Sequence, residues 1–340
     1  MKKRAAGFGE LMLRLAPEGY LRFQQTDTFE AVYGGAEANV CAALAQFGVE
    51  TRFITALPAH AIGQAAFDRL RAIGIDTDFI LRQGPRLGIY FAERGAAQRP
   101  GKVIYDRAGS SIALIEPGDI DWEAALDGVD WFHFTGITPA LGDNVAQCCR
   151  DALKVVRAKG IRASCDLNYR RNLWSEEKAR EVMTDLVEGL DICMVNEGAC
   201  KDVFGISAPD AAANDRQSAE ASLYVAEEMR KRFGIREIGV TIRRSYSASD
   251  NEWSAMLYDG EPHFSRTYRM QPIIERIGGG DAFDAGLIYG ELNGWDKQDC
   301  VEFAAAAAAL KHTVEGDFSV TTLDEVKALM AGEGSGMIQR

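Results

Sequence analysis

Several common signatures are missing from this chain, and each absence removes a class of function. The seven cysteines, Cys41, Cys148, Cys149, Cys165, Cys193, Cys200 and Cys300, form no C-x-x-C pair and no zinc spacing. Their number is odd and most sit in apolar runs, which reads as buried free thiols in a reducing compartment. The four histidines, His60, His133, His263 and His312, show no metal spacing either. No stretch approaches the ~20 apolar residues of a membrane span. Residues 1–9 begin basic without an apolar run behind them, so the expectation is a cytoplasmic protein with no membrane partner. Positive charge is scarce: 38 Lys and Arg face 50 Asp and Glu, a net charge of −12. A general nucleic-acid binder would show a basic stripe instead. There is no Gly-x-x-x-x-Gly-Lys-Ser/Thr loop, no early Gly-x-Gly-x-x-Gly and no Gly-x-Ser-x-Gly elbow. P-loop enzymes, dinucleotide dehydrogenases and serine hydrolases of the elbow type are thereby disfavoured.

What is present is an alternation. Short apolar runs at 5–8, 52–57, 129–134, 162–167, 191–195 and 237–242 predict strands. Amphipathic runs at 36–47, 62–73, 144–159, 175–188, 219–233 and 281–292 predict helices, and 300–313 and 323–330 add two more. Strands spaced by helices imply βαβ units and a mostly parallel sheet flanked by helices. The chain is long for one unit, but open α/β sheets reach 340 residues, and residues 1–335 read as a single α/β domain. Residues 12–33 and 87–112 break the alternation and read as hairpin material, either a small β lid over the main domain or an edge extension of its sheet. The run Ala304–Ala309 allows close helix packing or leaves room for a flat ligand. Residues 208–218 read as a surface loop, and 332–340 as a fraying end.

Three segments carry chemistry. In Glu275-Arg276-Ile277-Gly278-Gly279-Gly280-Asp281, three glycines run into an acid and then a helix. Glycines let backbone N–H groups converge on a ligand, and the helix adds its positive end. That makes an anion hole suited to a phosphoryl group, with Asp281 as a base for an attacking hydroxyl. The alternative is a glycine turn with Asp281 as a plain N-cap. The second segment, Gly34-Gly35-Ala36-Glu37-Ala38-Asn39, permits close backbone approach just before a helix. The third, Asp166-Leu167-Asn168-Tyr169-Arg170, ends an apolar strand, where open α/β sheets bind ligands.

Taken together, these residues resemble the ribokinase-like (PfkB) carbohydrate kinases. Gly34-Gly35-x-x-x-Asn39 and Gly278-Gly279-Gly280-Asp281 match the family's two signatures in order and separation. Gly136-Ile137-Thr138-Pro139-Ala140-Leu141, the stretch from Asp166 to Trp174, and Gly316-Asp317-Phe318 resemble 2-keto-3-deoxygluconate kinases within it. The resemblance implies a ribokinase-like fold and transfer of the ATP γ-phosphoryl group to the 6-hydroxyl of a keto-deoxy sugar acid. It implies Asp281 as base and Gly278, Gly279 and Gly280 as anion hole. Gly34, Gly35, Asn39, Tyr90, Tyr105, Arg107, Arg170 and Asp317 would hold the sugar acid, with Arg107 and Arg170 as carboxylate partners. Asn168, Asn196, Thr241, Arg243 and His312 would line the nucleotide site. ATP and Mg²⁺ are the implied cofactors, the family analogy allows a monovalent cation such as K⁺ beside them, and a homodimer or higher homo-oligomer through the lid is the implied assembly.

This chain departs from the family pattern in three places. Glu275 and Gly279 stand where Asp and Ala are usual. Asn196 is followed by Ala199 where Asn-x-x-Glu is usual, with Glu197 as a substitute on another side of the turn. The loop expected after the strand at 237–242 reads Arg243-Arg244-Ser245-Tyr246-Ser247, without glycine. Two other readings follow from these features: a sister kinase for fructose or ribose, and a sugar-binding regulator that kept the fold and lost transfer.

Overall fold

The computed structural model describes residues 2–209 and 219–334. Most of the expected loop at 208–218 and of the tail at 332–340 lies outside the described residues. The chain opens with β1 (Arg4–Phe8), β2 (Met12–Ala16), β3 (Glu30–Gly34), α1 (Ala36–Gln46), β4 (Glu50–Leu57), α2 (Ala61–Ala72), β5 (Ile80–Arg82), β6 (Gly88–Glu93) and β7 (Lys102–Asp106). It continues through α3 (Trp122–Ala125), β8 (Trp131–Thr135), α4 (Asp143–Lys159), β9 (Arg162–Asp166), α5 (Glu176–Leu186), β10 (Ile192–Val195), α6 (Glu197–Phe204) and α7 (Ala219–Phe233). The last part holds β11 (Glu237–Ser247), β12 (Asp250–Tyr258), β13 (Pro262–Phe264), β14 (Tyr268–Met270), α8 (Gly279–Leu292), α9 (Lys297–Lys311) and α10 (Leu323–Met330).

Every strand and helix expected from the alternation is present within a few residues. The main sheet runs β13-β12-β11-β10-β9-β8-β1-β4-β5, with β14 also on β12. From β11 to β5 all neighbours are parallel. Such strands are covered on both faces, which is why Phe132 and Phe134 on one face of β8 are as buried as Trp131 and His133 on the other. One face packs against α3, α4, α5, α6 and α7 and the other against α1, α8, α9 and α10. Local chemistry sets the ends of these helices. Ser175 accepts from the Lys178 N–H at the start of α5, Thr322 and Glu325 form a capping box on α10, and Gly160 closes α4 with φ +66°.

Residues 12–33 and 87–112 supply a separate four-stranded sheet of order β3-β2-β6-β7, not an extension of the main one. Its inner face places Arg14 beside Tyr90, and Tyr90 beside Tyr105. Met12, Tyr90 and Ala92 pack against Ile277, so this lid rests on the glycine segment. The antiparallel strands β12, β13 and β14 went unrecognised in the alternation. The segment expected to be a loop after residue 242 is strand: β11 runs on to Ser247 and pairs with β12, with a register shift between Ser245 and Ser247. Alternating Arg, Ser and Tyr side chains there suit a solvent-washed hairpin, so no glycine is needed.

The alanine run is packing material. Ala304–Ala309 are all buried, and a β-carbon on Gly286 of α8 would lie 2.5 Å from the Ala304 Cα. Backbone sits against backbone, with no room for a flat ligand. Gly286→Val therefore forces α8 and α9 apart and should cost about 1–3 kcal/mol in urea unfolding. Unchanged stability would mean that the two helices adjust freely.

Candidate active site

The parallel strands β8, β9, β10 and β11 point their C-terminal ends at one cleft of about 430 Å³, roofed by the lid. Gly278 stands at its floor as the N-cap of α8, with φ +85°. A β-carbon on Gly278 would come within 2.4 Å of the Asp317 carbonyl oxygen, and one on Gly279 within 2.5 Å of the His312 ring. Around Gly280 there is open space on the cleft side. These glycines bring the first N–H groups of α8 to the cleft, where an anion would meet them.

The two glycine segments meet. The Gly35 N–H donates to Asn39 Oδ1 at 3.3 Å, and Asn39 Nδ2 donates to Asp281 Oδ2 at 2.6 Å. Close packing dictates glycine at both positions of the first segment. A β-carbon would be 2.0 Å from the Asp317 carboxylate at Gly34, and 1.9 Å from the Glu10 carbonyl oxygen at Gly35.

Burial drives the electrostatics. It raises the Asp281 pKa to about 7, with the Asn39 hydrogen bond opposing and the charges of Asp166 and Glu37 reinforcing. Asp166, at the end of β9, is raised to about 6, also by burial first. Asp284, one helical turn beyond Asp281, is pushed well above the carboxylate range by burial and then by Asp166 and Asp281. Its Oδ2 is buried without a hydrogen bond. Beneath them Glu37 accepts from the Thr135 N–H and from the hydroxyls of Thr135 and Thr138, fixing the end of β8.

On the expected sugar side, Gly34, Gly35, Asn39, Tyr90, Tyr105, Arg170 and Asp317 all line the cleft. Asp317 is also held internally: Arg14 Nη1 donates to its Oδ1 at 2.9 Å, and the Tyr90 hydroxyl donates to its Oδ2. Arg107 does not reach this cleft. It is buried and bound by Glu10 through Nε at 2.8 Å and through Nη2. It faces an adjoining groove of about 820 Å³ with Tyr169, Arg170 and Arg171. Arg170 borders both spaces, is exposed, and makes no side-chain hydrogen bond or salt bridge among the described residues, while its charge acts on Asp166 and Asp281.

On the expected nucleotide side, Asn168, Asn196, Thr241 and Arg243 line the cleft. Asn168 holds φ +33° with its N–H on Asp166 Oδ1 at 3.0 Å. Asn196 caps α6 by accepting from the Ala199 N–H, while Glu197 turns to the Ser222 hydroxyl at 3.1 Å. Arg243 lies 4.6 Å over the Trp253 ring, and its pKa is lowered to about 10 by surrounding protein and by Arg276. His312 sits behind Gly279, away from the cleft, with Nδ1 donating to the Ala308 carbonyl at 2.7 Å. Burial lowers its pKa to about 4, so it is neutral. Among the described residues no group of three or more His, Cys, Asp and Glu side chains is arranged to hold a metal ion, and no helix is long and apolar enough to cross a membrane. All seven cysteines are buried and unpaired.

A cleft that offers N–H groups to an anion beside a near-neutral carboxylate suits transfer of a phosphoryl group to a hydroxyl. The chain belongs to that class: the pfkB family carbohydrate kinase model matches residues 2–227 and 255–322, and the chain is a member of the family. It is an ATP-dependent sugar kinase with the ribokinase-like fold. Over 97% of its length it is 29% identical to the 2-dehydro-3-deoxygalactonokinase of Haloferax volcanii, matching 97% of that protein. It is 27% identical to the 2-dehydro-3-deoxygluconokinase of Thermoproteus tenax, over 92% of this chain and 89% of that one. The crystal structure of the Thermotoga maritima 2-dehydro-3-deoxygluconokinase superposes with a TM-score of 0.93 at 47% identity, covering 97% of this chain and all of the other.

Sequence reasoning passed over Arg14, Glu10, Asp284 and Lys311. Two had a signal. Arg14 shares the inward period-two face of β2 with Met12 and Ala16, and Asp284 is i+3 from Asp281. An ionised Asp281 opposes folding. Its pKa rises from 3.8 to about 7 on folding, so the penalty is absent below about pH 4 and complete above about pH 7. Asp281→Asn should therefore stabilise the fold at pH 8, by on the order of 2–4 kcal/mol, and change little at pH 4. Equal shifts in thermal unfolding at both pH values would contradict the raised pKa.

Proposed function

We propose that this kinase transfers the γ-phosphoryl group of ATP to the 6-hydroxyl of 2-keto-3-deoxygluconate, with Asp281 as the base. The observation that carries the base assignment is the Asp281 carboxylate at the mouth of the glycine loop, oriented by Asn39 and buried enough to titrate near neutrality. The hydroxyl proton passes to Asp281 as the oxygen bonds to the γ-phosphorus, and the bond from that phosphorus to the ADP oxygen breaks. The N–H groups at Gly278, Gly279 and Gly280 would receive the charge of the transferring group. Arg243 and Arg276, which also line the cleft, suit the remaining phosphates. Mg²⁺ entering with ATP would neutralise phosphate charge. Its place would be made by the phosphates together with cleft oxygens such as those of Asp166 and Asp284.

The acid substrate is supported by Arg170, a cation open to the cleft with no salt bridge of its own, and by the activities for which the relatives are named. Because Arg107 is engaged by Glu10, Arg170 carries the carboxylate alone in this reading. That engagement also favours a second reading, a neutral ketose or pentose as substrate. On the lid's outer strand Val103 and Tyr105 turn to the cleft while Ile104 is exposed on the opposite side, apolar surface that supports pairing of two chains through their lids.

A coupled assay with 2-keto-3-deoxygluconate, its galactonate epimer, fructose and ribose separates these readings. Turnover on the acids alone is expected; turnover on a neutral sugar would discard the acid, and tight sugar binding without turnover would leave a regulator. Asp281→Asn should lower kcat by about 10³-fold while sugar binding stays within several-fold. In the wild type kcat/KM should rise with pH through a midpoint near 7, where Asp281 ionises. Arg170→Ala should raise KM for a sugar acid and leave a neutral ketose nearly unaffected; equal effects on both would remove the carboxylate argument.

A further inference from the structure

Lys311, the last residue of α9, is 0% exposed. An ammonium that deep in protein is costly unless its hydrogens are satisfied. Its Nζ donates to two main-chain carbonyls, Val314 at 3.1 Å and Gly316 at 2.9 Å. No carboxylate lies within ion-pair distance among the described residues. Carbonyl oxygens are the surroundings in which a desolvated monovalent cation rests. The position of the charge is specific: a β-carbon on Gly278 would stand 3.0 Å from the Lys311 Cε. The ammonium therefore lies directly behind the N-cap of α8, on the protein side of the loop whose other side faces the cleft. Charge balance alone does not account for it. Glu275 and Asp317 are already bridged by Arg14, at 2.6 and 2.9 Å, and Arg94 stands 3.8 Å from Glu275.

We infer that Lys311 is a built-in cation for the phosphoryl-binding loop. Caged by the Val314 and Gly316 carbonyls, it would add positive potential behind Gly278–Gly280 as charge gathers on the transferring group. It thereby takes the place of a monovalent cation from solution. It touches neither substrate, so it is a positioning residue acting through the loop. Burial pulls its pKa down to about 8 while Glu275, Asp317 and Asp281 hold it up, which keeps it mostly charged at neutral pH. The inference rests on the reading of Gly278–Gly280 as the phosphoryl site.

The experiment is steady-state turnover of the full chain with ATP and Mg²⁺, first with tetramethylammonium as the only monovalent cation and then with K⁺ or NH₄⁺. Wild-type kcat should change less than about 2-fold. Lys311→Gln should lose on the order of 10²-fold in kcat, the effect of removing one loop donor, with sugar KM and thermal midpoint little changed. K⁺ or NH₄⁺ should recover at least about tenfold of that loss, and tetramethylammonium, too large for the cage, none. A folded Lys311→Gln with full kcat would overturn the inference. So would a loss no small cation restores, which marks a purely structural lysine. Strong K⁺ activation of the wild type would also overturn it, and that arm decides if Lys311→Gln and Lys311→Met both fail to fold. Asp281→Asn run in parallel keeps the two readings apart: full turnover there sinks the phosphoryl-site reading itself, whatever Lys311 does.

Discussion

The structure depends on one buried guanidinium. Arg14, 1% exposed on the inner face of the lid, spans Glu275 at the start of the glycine segment and Asp317 beyond α9. Tyr90 from the neighbouring lid strand donates to the same Asp317. Lid, glycine loop and C-terminal turn are therefore tied at one point. Removing a partner from such a buried cluster strands an uncompensated charge, a cost of about 3–5 kcal/mol. The β-carbon clash at Gly34 follows from the same arrangement, because Asp317 fills the space a side chain would need.

Around that tie, the chain's negative excess is arranged rather than diluted. Asp166, Asp281, Asp284 and Glu37 crowd the strand ends, and burial raises each pKa. The crowding works against folding and toward a carboxyl, Asp281, that titrates near pH 7. Cations are gathered locally to match: Arg170, Arg243 and Arg276 on the cleft walls, Arg14 and Lys311 behind the loop. A protein with a net charge of −12 can hold anionic substrates because the field in the cleft is set by these few side chains and the α8 terminus, not by the total.

The hairpin of β11 and β12 shows how a departure from the family pattern is accommodated. Where glycines were expected, Arg243 lies over Trp253, and Arg276 bonds the Ser247 and Ala248 carbonyls and the Asn251 side chain. The hairpin is thereby tied to the glycine segment by side chains.

Much of this was written in local pattern. Strand and helix periods, the two glycine segments and the polar end of β9 depend on near neighbours in the chain, so the alternation, the lid segments and Asp281 could be read directly. The antiparallel edge strands could not, because an edge strand's solvent face carries the same polar residues as a loop. Nor could the fate of long polar side chains. Arg107 and Arg170 look alike in sequence, yet Glu10, 97 positions away, captures one and leaves the other open. Lys311 reads as a helix-end lysine until Val314, Gly316 and Gly278 close around it. The sequence by itself determined the fold class and the family, and it singled out Asp281 as the acid to examine. Only the tertiary structure decided which cations are free, which are already engaged and how far burial raises Asp281, because desolvation and pairing are set by residues hundreds of positions apart.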